Sequence, residues 1–172
     1  CVRRGSTATI RDSTFGDNSA PSLYVGGVPG MATADVVNST LSGNGSLPSV
    51  TVDSGGVLTL RHTTVGLESA QGTAIESFSG GTVKLINTII AGRCGGAGTL
   101  QRDGVNIESP DNTCGLSAAV DHASTPVVTL ALGPLQNNGG STRTRMPGQG
   151  SIAIAASSSA GIAFCPQTDQ RG

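Results

Sequence analysis

With 172 residues, 26 of them Gly, a formal net charge of −1 and only 12% charged residues, the chain has single-domain length and excludes several classes at once. Ten scattered Lys and Arg give no basic face to neutralise phosphates, so nucleic acid is not an expected partner, and no run of about eighteen apolar residues is present to span a membrane. Abundant Gly with low charge separates the chain from disordered and helical proteins and suits short strands joined by tight turns.

In chain order, four stretches are versions of one another: ATIRDSTFGDN from Ala8, ADVVNSTLSGN from Ala34, LTLRHTTVGLE from Leu58 and VKLINTIIAGR from Val83, about 25 residues apart. A second motif stands between them, SLYVGG ending at Gly27, SVTVDSGG at Gly56 and AIESFSGG at Gly81, each an apolar alternation stopped by a Gly pair. A unit of this length cannot bury an apolar face alone and must stack on copies of itself. The apolar runs are too short for helical repeats, so each unit is two or three short strands with turns between them. The predicted fold is all-β: a right-handed parallel β-helix over about residues 1–115, with an irregular closing segment over about 116–172, in one domain.

In a parallel β-helix, equivalent residues of successive coils lie roughly 4.8 Å apart. Ile10, Val36, Leu60 and Leu85 then form one inward column, and Phe15, Leu41, Val65 and Ile90 another. The narrow core they make fits a chain with no Trp, one Tyr and three Phe. Asp12, Asn38, His62 and Asn87 fall at the corner between the columns, where short polar side chains bond the turn backbone and one another. Thr14, Thr40 and Thr64 run beside them, and Ile89 ends that column.

Four Cys in a chain rich in Thr, Ser, Asn and Gly, with a single Lys, suggest an oxidising, extracellular setting, and none has metal-ligand spacing. Cys94 and Cys114 enclose a Gly-rich loop and are expected to pair, two free buried thiols being the alternative. The sequence begins at Cys1 without Met or a signal peptide, which points to a processed or trimmed product.

After Cys114 the repeat fades. LGPLQNNGGSTRTR from Leu132, GSIAIA from Gly150 and CPQTDQRG ending at Gly172 resemble the closing segment of bacterial choice-of-anchor Q domain proteins. The coils, with NSTLSGN and NTIIAG, resemble the same family and the related polymorphic outer-membrane protein repeats, so the resemblance covers essentially the whole chain. Its specific part is the ordered pair formed by Leu132, Gly133, Pro134, Leu135, Asn138, Gly139 and Gly140 with Asp169, Gln170, Arg171 and Gly172. The resemblance implies a right-handed parallel β-helix secreted to a bacterial surface, with no generally assigned catalytic residues. There are departures: the family's usual threonine-histidine pair is replaced by Thr144 and Arg145, and its proline-alanine-isoleucine-aspartate run by Ile152, Ala153, Ile154 and Ala155. Losing that acid and that histidine favours a structural role for the tail.

Polysaccharide lyases and hydrolases need clustered carboxylates with a base, or two to three acids in reach of one bond. Here Asp12 shares its column with two Asn and His62, and Asp35 shares one with Thr9, Thr59 and Lys84, so neither column supplies adjacent acids. Asp17, Asp53, Glu68 and Glu76 fall on different corners, and His62 is expected to fill a place in an Asn ladder rather than to act as a base. Asp121 and His122 are expected to be a solvated loop pair. RCGGAG and QNNGGST lack the Lys and helix of phosphate loops and are turns, and the repeat accounts for the sequons at Asn38 and Asn44.

The expected function is a non-catalytic extracellular or cell-surface structural protein of a bacterium, without metal or cofactor. A polysaccharide-binding or polysaccharide-cleaving β-helix is the competing reading, with extracellular polysaccharide as partner. Self-association is also expected. Cys1 precedes the first coil and Cys165 follows the last, so a straight rod would hold them roughly 20–25 Å apart, against the Cα separation of about 7 Å that a disulfide tolerates. Either the tail folds back along the rod, or Cys1 and Cys165 bond between copies stacked head to tail in a fibre; the alternative to the fibre is that Cys1 marks where a longer chain was cut, its missing coils supplying the cap.

Overall fold

The computed structural model describes residues 1–27, 30–42, 44–67, 71–154, 156 and 166–172. Strands stay short because each apolar run is soon stopped by Gly, Asn, Asp or Ser. The first coil carries β1 (Thr7–Arg11), β2 (Thr14–Gly16) and β3 (Leu23–Val25), and the second β4 (Ala32–Val37), β5 (Thr40–Ser42) and β6 (Val50–Val52). The third has β7 (Gly56–Arg61), β8 (Thr64–Gly66) and β9 (Thr73–Ser77), and the fourth β10 (Thr82–Ile86), β11 (Ile89–Ala91) and β12 (Arg93–Gly95). A fifth, incomplete coil contributes β13 (Thr99–Asp103) and β14 (Ile107–Ser109). They stack as three parallel sheets, in the orders β1-β4-β7-β10-β13, β2-β5-β8-β11-β14 and β3-β6-β9-β12. The protein is a parallel β-solenoid.

The inward columns follow the expected register. Ile10 pairs with Val36, Val36 with Leu60 and Leu60 with Leu85, while Phe15 pairs with Leu41, Leu41 with Val65 and Val65 with Ile90. The third sheet adds the column Leu23, Val50, Ile75 and Cys94. Burial is complete in the middle coils and partial for Ala8, Ile10 and Phe15 at the N-terminal end.

The fifth coil is a finding. The offset between equivalent residues falls from 26 in the first two coils to 18 between the last two, and the two apolar columns end on Arg102 and Glu108. Glu108 is 0% exposed. Its carboxylate accepts from the Thr113 N–H at 2.7 Å, the Thr113 hydroxyl at 2.6 Å and the Cys114 N–H at 2.9 Å. Arg102 donates to the Cys114 carbonyl at 3.0 Å. Cys94 and Cys114 form the expected disulfide, with Cα atoms 5.0 Å apart, and Leu116 packs into the core beside them. Thus the last coil holds a covering loop by hydrogen bonds and one covalent bond, as a buried carboxylate requires. Asp121 belongs to the same cover: it is 8% exposed and accepts from the N–H groups of Asn106 at 2.8 Å and Ser117 at 2.9 Å. This corrects the solvated pair expected of Asp121 and His122, whose own backbone bridges to Ile107.

Burial pushes the Glu108 carboxyl above its usual range, partly offset by the bonds from Thr113 and Cys114. An acid with a raised folded pKa holds its proton more tightly folded than unfolded. Its contribution is therefore fully present below the unfolded value of about 4.3 and is lost as pH rises through the folded pKa. Glu108→Gln is expected to flatten this segment of the stability curve, measured by urea melts at a series of pH values.

The closing segment is more ordered than expected. After the helical turn α1 (Val127–Leu130), β15 (Leu132–Gln136) and β16 (Thr144–Pro147) form an antiparallel hairpin, followed by a 3-10 turn at Ile152–Ile154. Cys165 and Ala155 lie outside the described residues, as does Glu68.

Candidate functional site

The corner ladder is a ladder of left-handed residues. Asp12, Asn38, His62 and Asn87 have φ of 49, 51, 49 and 50°, and Gly104 continues the series at 67°. Asn and Asp enter this region more readily than most residues because their short polar groups bond locally. The Asn38 amide donates to Asp12 at 2.6 Å, and Asn87 Oδ1 accepts from the Val105 N–H at 2.9 Å. Glycine is required at 104, since a Cβ there would stand 2.2 Å from Asn87 Oδ1. His62 keeps the backbone part of the pattern, its N–H donating to the Ile86 carbonyl at 3.0 Å.

One residue further on lies a buried ladder that sequence reasoning missed. The hydroxyls of Ser39, Thr63 and Thr88 donate to the carbonyls of Val37, Arg61 and Ile86, two residues back, at 2.8, 2.9 and 3.1 Å. Asn106 takes the same place in the fifth coil, its Oδ1 accepting from the Thr88 N–H at 3.0 Å. The available signal was the Ser or Thr that follows each corner residue. Asn44, the second sequon residue, is also buried and bonds Ser22, so it serves the interior.

Thr14, Thr40 and Thr64 face outward from the second sheet, and the closing segment covers them. Gln170, 8% exposed, is the latch. It accepts from the Thr40 hydroxyl at 2.7 Å and lies within donating distance of Thr14 Oγ1 at 2.8 Å, Thr142 Oγ1 at 2.9 Å and the Ser13 carbonyl at 3.1 Å. Beside the threonines a second outward column is small. A Cβ on Gly16 would stand 2.5 Å from Leu135, and one on Gly66 2.6 Å from Arg145, so the hairpin seats where side chains are absent. Towards the fifth coil the same face turns apolar, and Ile89 and Ile107 pack with Leu130, Leu132 and Ala153. Polar residues of the tail thus meet polar coils, and apolar residues meet apolar ones.

This arrangement brings the described parts of the tail motif together. Asn138 donates to the Thr144 carbonyl at 2.8 Å, closing the hairpin turn. Gly139 and Gly140 have φ of 91 and 85°, and a Cβ on Gly140 would stand 2.5 Å from the Arg171 backbone, so the two halves of the ordered pair pack on each other. Arg145 donates to the carbonyls of Gly133 at 2.8 Å and Leu67 at 3.1 Å, pinning hairpin to coil. Arg143 bonds Asp17 at 2.6 Å. Gln170→Ala leaves the buried Thr40 hydroxyl without its acceptor, while Thr14 keeps its bond to the Arg143 carbonyl, and is expected to cost about 1–3 kcal/mol. Hydrogen exchange at residues 13–16 and 40–42 should accelerate while that of β10 does not.

Between ladder and tail runs a groove. One cavity of about 180 Å³ is lined by Asn38, His62, Thr64, Arg145, Asp169 and Arg171, with Met146 and Pro147 as apolar wall. It continues into one of about 300 Å³ that shares Asn38, His62, Thr64 and Asp169 and adds Asn87, Ile89 and Val105. Burial, and then the neighbouring Arg61, holds the His62 imidazole below its usual range. The hydrogen bond from Arg171, whose Nε is 2.8 Å from Oδ2, holds the Asp169 carboxyl below the usual carboxylate range.

Elsewhere the acids are dispersed. Asp35 lies between Thr9 and Thr59 and pairs with Arg61 at 3.0 Å, and Asp111 pairs with Arg93 at 2.6 Å. Asp53 accepts from the Tyr24 hydroxyl at 2.8 Å. Among the described residues no group of three or more His, Cys, Asp and Glu is placed to hold a metal, and no helix is long and apolar enough to cross a membrane. Cys1 is exposed with a free thiol. Thr168 and Gln170 lie against Asn38, Ser13 and Thr14, so the tail folds back to the first two coils. The tail thus takes the fold-back course, one of the two expected alternatives, and Cys165 itself lies outside the described residues. Compared with protein-family models, with curated proteins and with solved structures, the chain finds no match.

Proposed function

We propose that the protein is a non-catalytic structural module displayed outside a bacterial cell, as its resemblance to choice-of-anchor Q domain proteins also implies. The observation that carries this reading is the covered second sheet: the strand face where an extended substrate would lie is filled by the chain's own Leu135, Arg145 and Gln170. The carboxylates support it as well, since Asp17, Asp35, Asp111 and Asp169 are each paired with an arginine. The disulfide suits an oxidising compartment. Incubation with pectin and alginate, with and without calcium, is expected to release no unsaturated or reducing ends. Turnover abolished by His62→Ala or Asp12→Asn would overturn the reading.

The geometry favours a single rod over a fibre. The N-terminal end leaves β1 and β2 as sheet edges, with Val2 adding one further bridge to Val25. At the other end Glu108 and the disulfide hold a covering loop, so head-to-tail stacking lacks a second open coil. Non-reducing electrophoresis and native mass measurement are expected to give monomer; a reducible ladder lost in Cys165→Ser restores the fibre.

A further inference from the structure

We propose that Thr40 and Gln170 are the two halves of an intramolecular ester cross-link: the Thr40 hydroxyl attacks the Gln170 side-chain amide, ammonia leaves, and the tail becomes covalently tied to the second coil. The proposal goes beyond the structural reading and does not depend on it, because the chain modifies itself once and turns over nothing else. Three observations carry it. First, nucleophile and electrophile are in contact and out of water. Thr40 is 3% and Gln170 8% exposed, and the Thr40 hydroxyl donates to Gln170 Oε1 at 2.7 Å. A hydroxyl oxygen held on a carbonyl oxygen is one bond away from the carbonyl carbon, so a small torsional change brings it to the roughly 3–3.5 Å of an attacking pair. Burial also shields the product ester from hydrolysis.

Second, the amide nitrogen sits among more acceptors than an amide can use. Around Gln170 Nε2 stand Thr14 Oγ1 at 2.8 Å, Thr142 Oγ1 at 2.9 Å, the Ser13 carbonyl at 3.1 Å and the Arg143 carbonyl at 3.4 Å. The Thr14 hydroxyl gives its own proton to the Arg143 carbonyl, so it turns a lone pair toward the nitrogen. An amide has two N–H bonds to share among these oxygens, whereas the protonated amine leaving a tetrahedral intermediate has three. The cage therefore fits the leaving group better than the ground state, which is the differential binding that lowers a barrier.

Third, a base faces the same cavity. His62 lines the space of about 180 Å³ together with Thr40, Thr64 and Gln170. Among the described residues its ring makes no hydrogen bond, and burial favours the neutral imidazole. The ladder does not need that ring, since Asn38 and Asn87 bond neighbouring coils through their side chains and His62 through its backbone. The step balances without a co-reactant. Thr40 Oγ1 passes its proton to His62, directly or through one water, as the bond to Gln170 Cδ forms; the imidazolium returns a proton to the nitrogen as the Cδ–Nε2 bond breaks, and one ammonia leaves.

The intact mass of the full chain, matured in the folded state and then reduced and denatured, reads the bond directly. It is expected to lie one ammonia below the sequence mass, with tandem spectra joining the tryptic peptide that contains Thr40 to the one that ends at Arg171. Thr40→Val, with its fold checked by circular dichroism, should keep the full sequence mass, and Thr40→Ser should recover the loss. His62→Asn restores the residue type found at neighbouring rungs, so it should keep the fold while slowing maturation roughly 100-fold. Full sequence mass in the matured protein overturns the proposal, as does an ammonia loss that persists in Thr40→Val or maps to the Asn-Gly pairs at Asn44 and Asn138. Maturation of His62→Asn at the unaltered rate overturns the part given to His62.

Discussion

Leu60→Asp is expected to abolish cooperative folding. Leu60 is 0% exposed and sits between Val36 and Leu85 in the first inward column. A carboxylate there has no partner within the core, and its desolvation costs on the order of 5 kcal/mol, comparable to the whole stability of a typical domain. The neighbouring position is the control. Thr59 faces outward between Asp35 and Lys84, so an added acid meets one like and one opposite charge. Thr59→Asp should change stability by no more than about 0.5 kcal/mol. Circular dichroism melts of the two variants separate the faces, and equal melting temperatures would show the register slipped by one residue.

Removing the disulfide should produce the second largest effect. Cys94→Ser with Cys114→Ser opens a link spanning a sequence separation of 20, for which chain entropy predicts a loss of about 3 kcal/mol. In a domain of this size that is a fall in Tm of about 6–12 °C. The loss concentrates at one end, because the same loop supplies the donors for Glu108 and the acceptor for Arg102. Proteolysis of the double variant is expected to begin within residues 110–125, while coils two and three stay intact. Cleavage that starts instead in β4 or β7 would mean that the loop does not hold the end of the rod.

The two inward columns and the corner ladder were legible in the sequence because a stacked coil repeats side-chain chemistry at equivalent positions. What escaped was what the repeat does not repeat. The fifth coil is short and replaces the expected apolar residues with Arg102 and Glu108, so its pattern looks like loop. The Ser39, Thr63 and Thr88 ladder was hidden because serine and threonine are common throughout, and only the carbonyl two residues back distinguishes a buried hydroxyl from an exposed one. On the isolated coils Thr40 would face solvent; Gln170, 130 residues away, buries it. The groove at His62 needs both ladder and tail, and nothing local in either segment announces it.

The latch at Gln170 also sets an order in time. Its contacts reach back 156 and 157 residues to Thr14 and Ser13, whereas each coil needs only the one before it. A chain emerging from its N-terminus can therefore build coils one after another, but its first two coils remain without their outer cover until the final residues arrive. Closing so long a loop adds little free energy, because the entropy grows only with the logarithm of length, yet such distant contacts form slowly. In that interval the threonines at 14 and 40 and the gap at Gly16 face solvent, with the core already assembled behind them. Chains halted before residue 170 would stay in that unfinished state, fully coiled and still adhesive along one side.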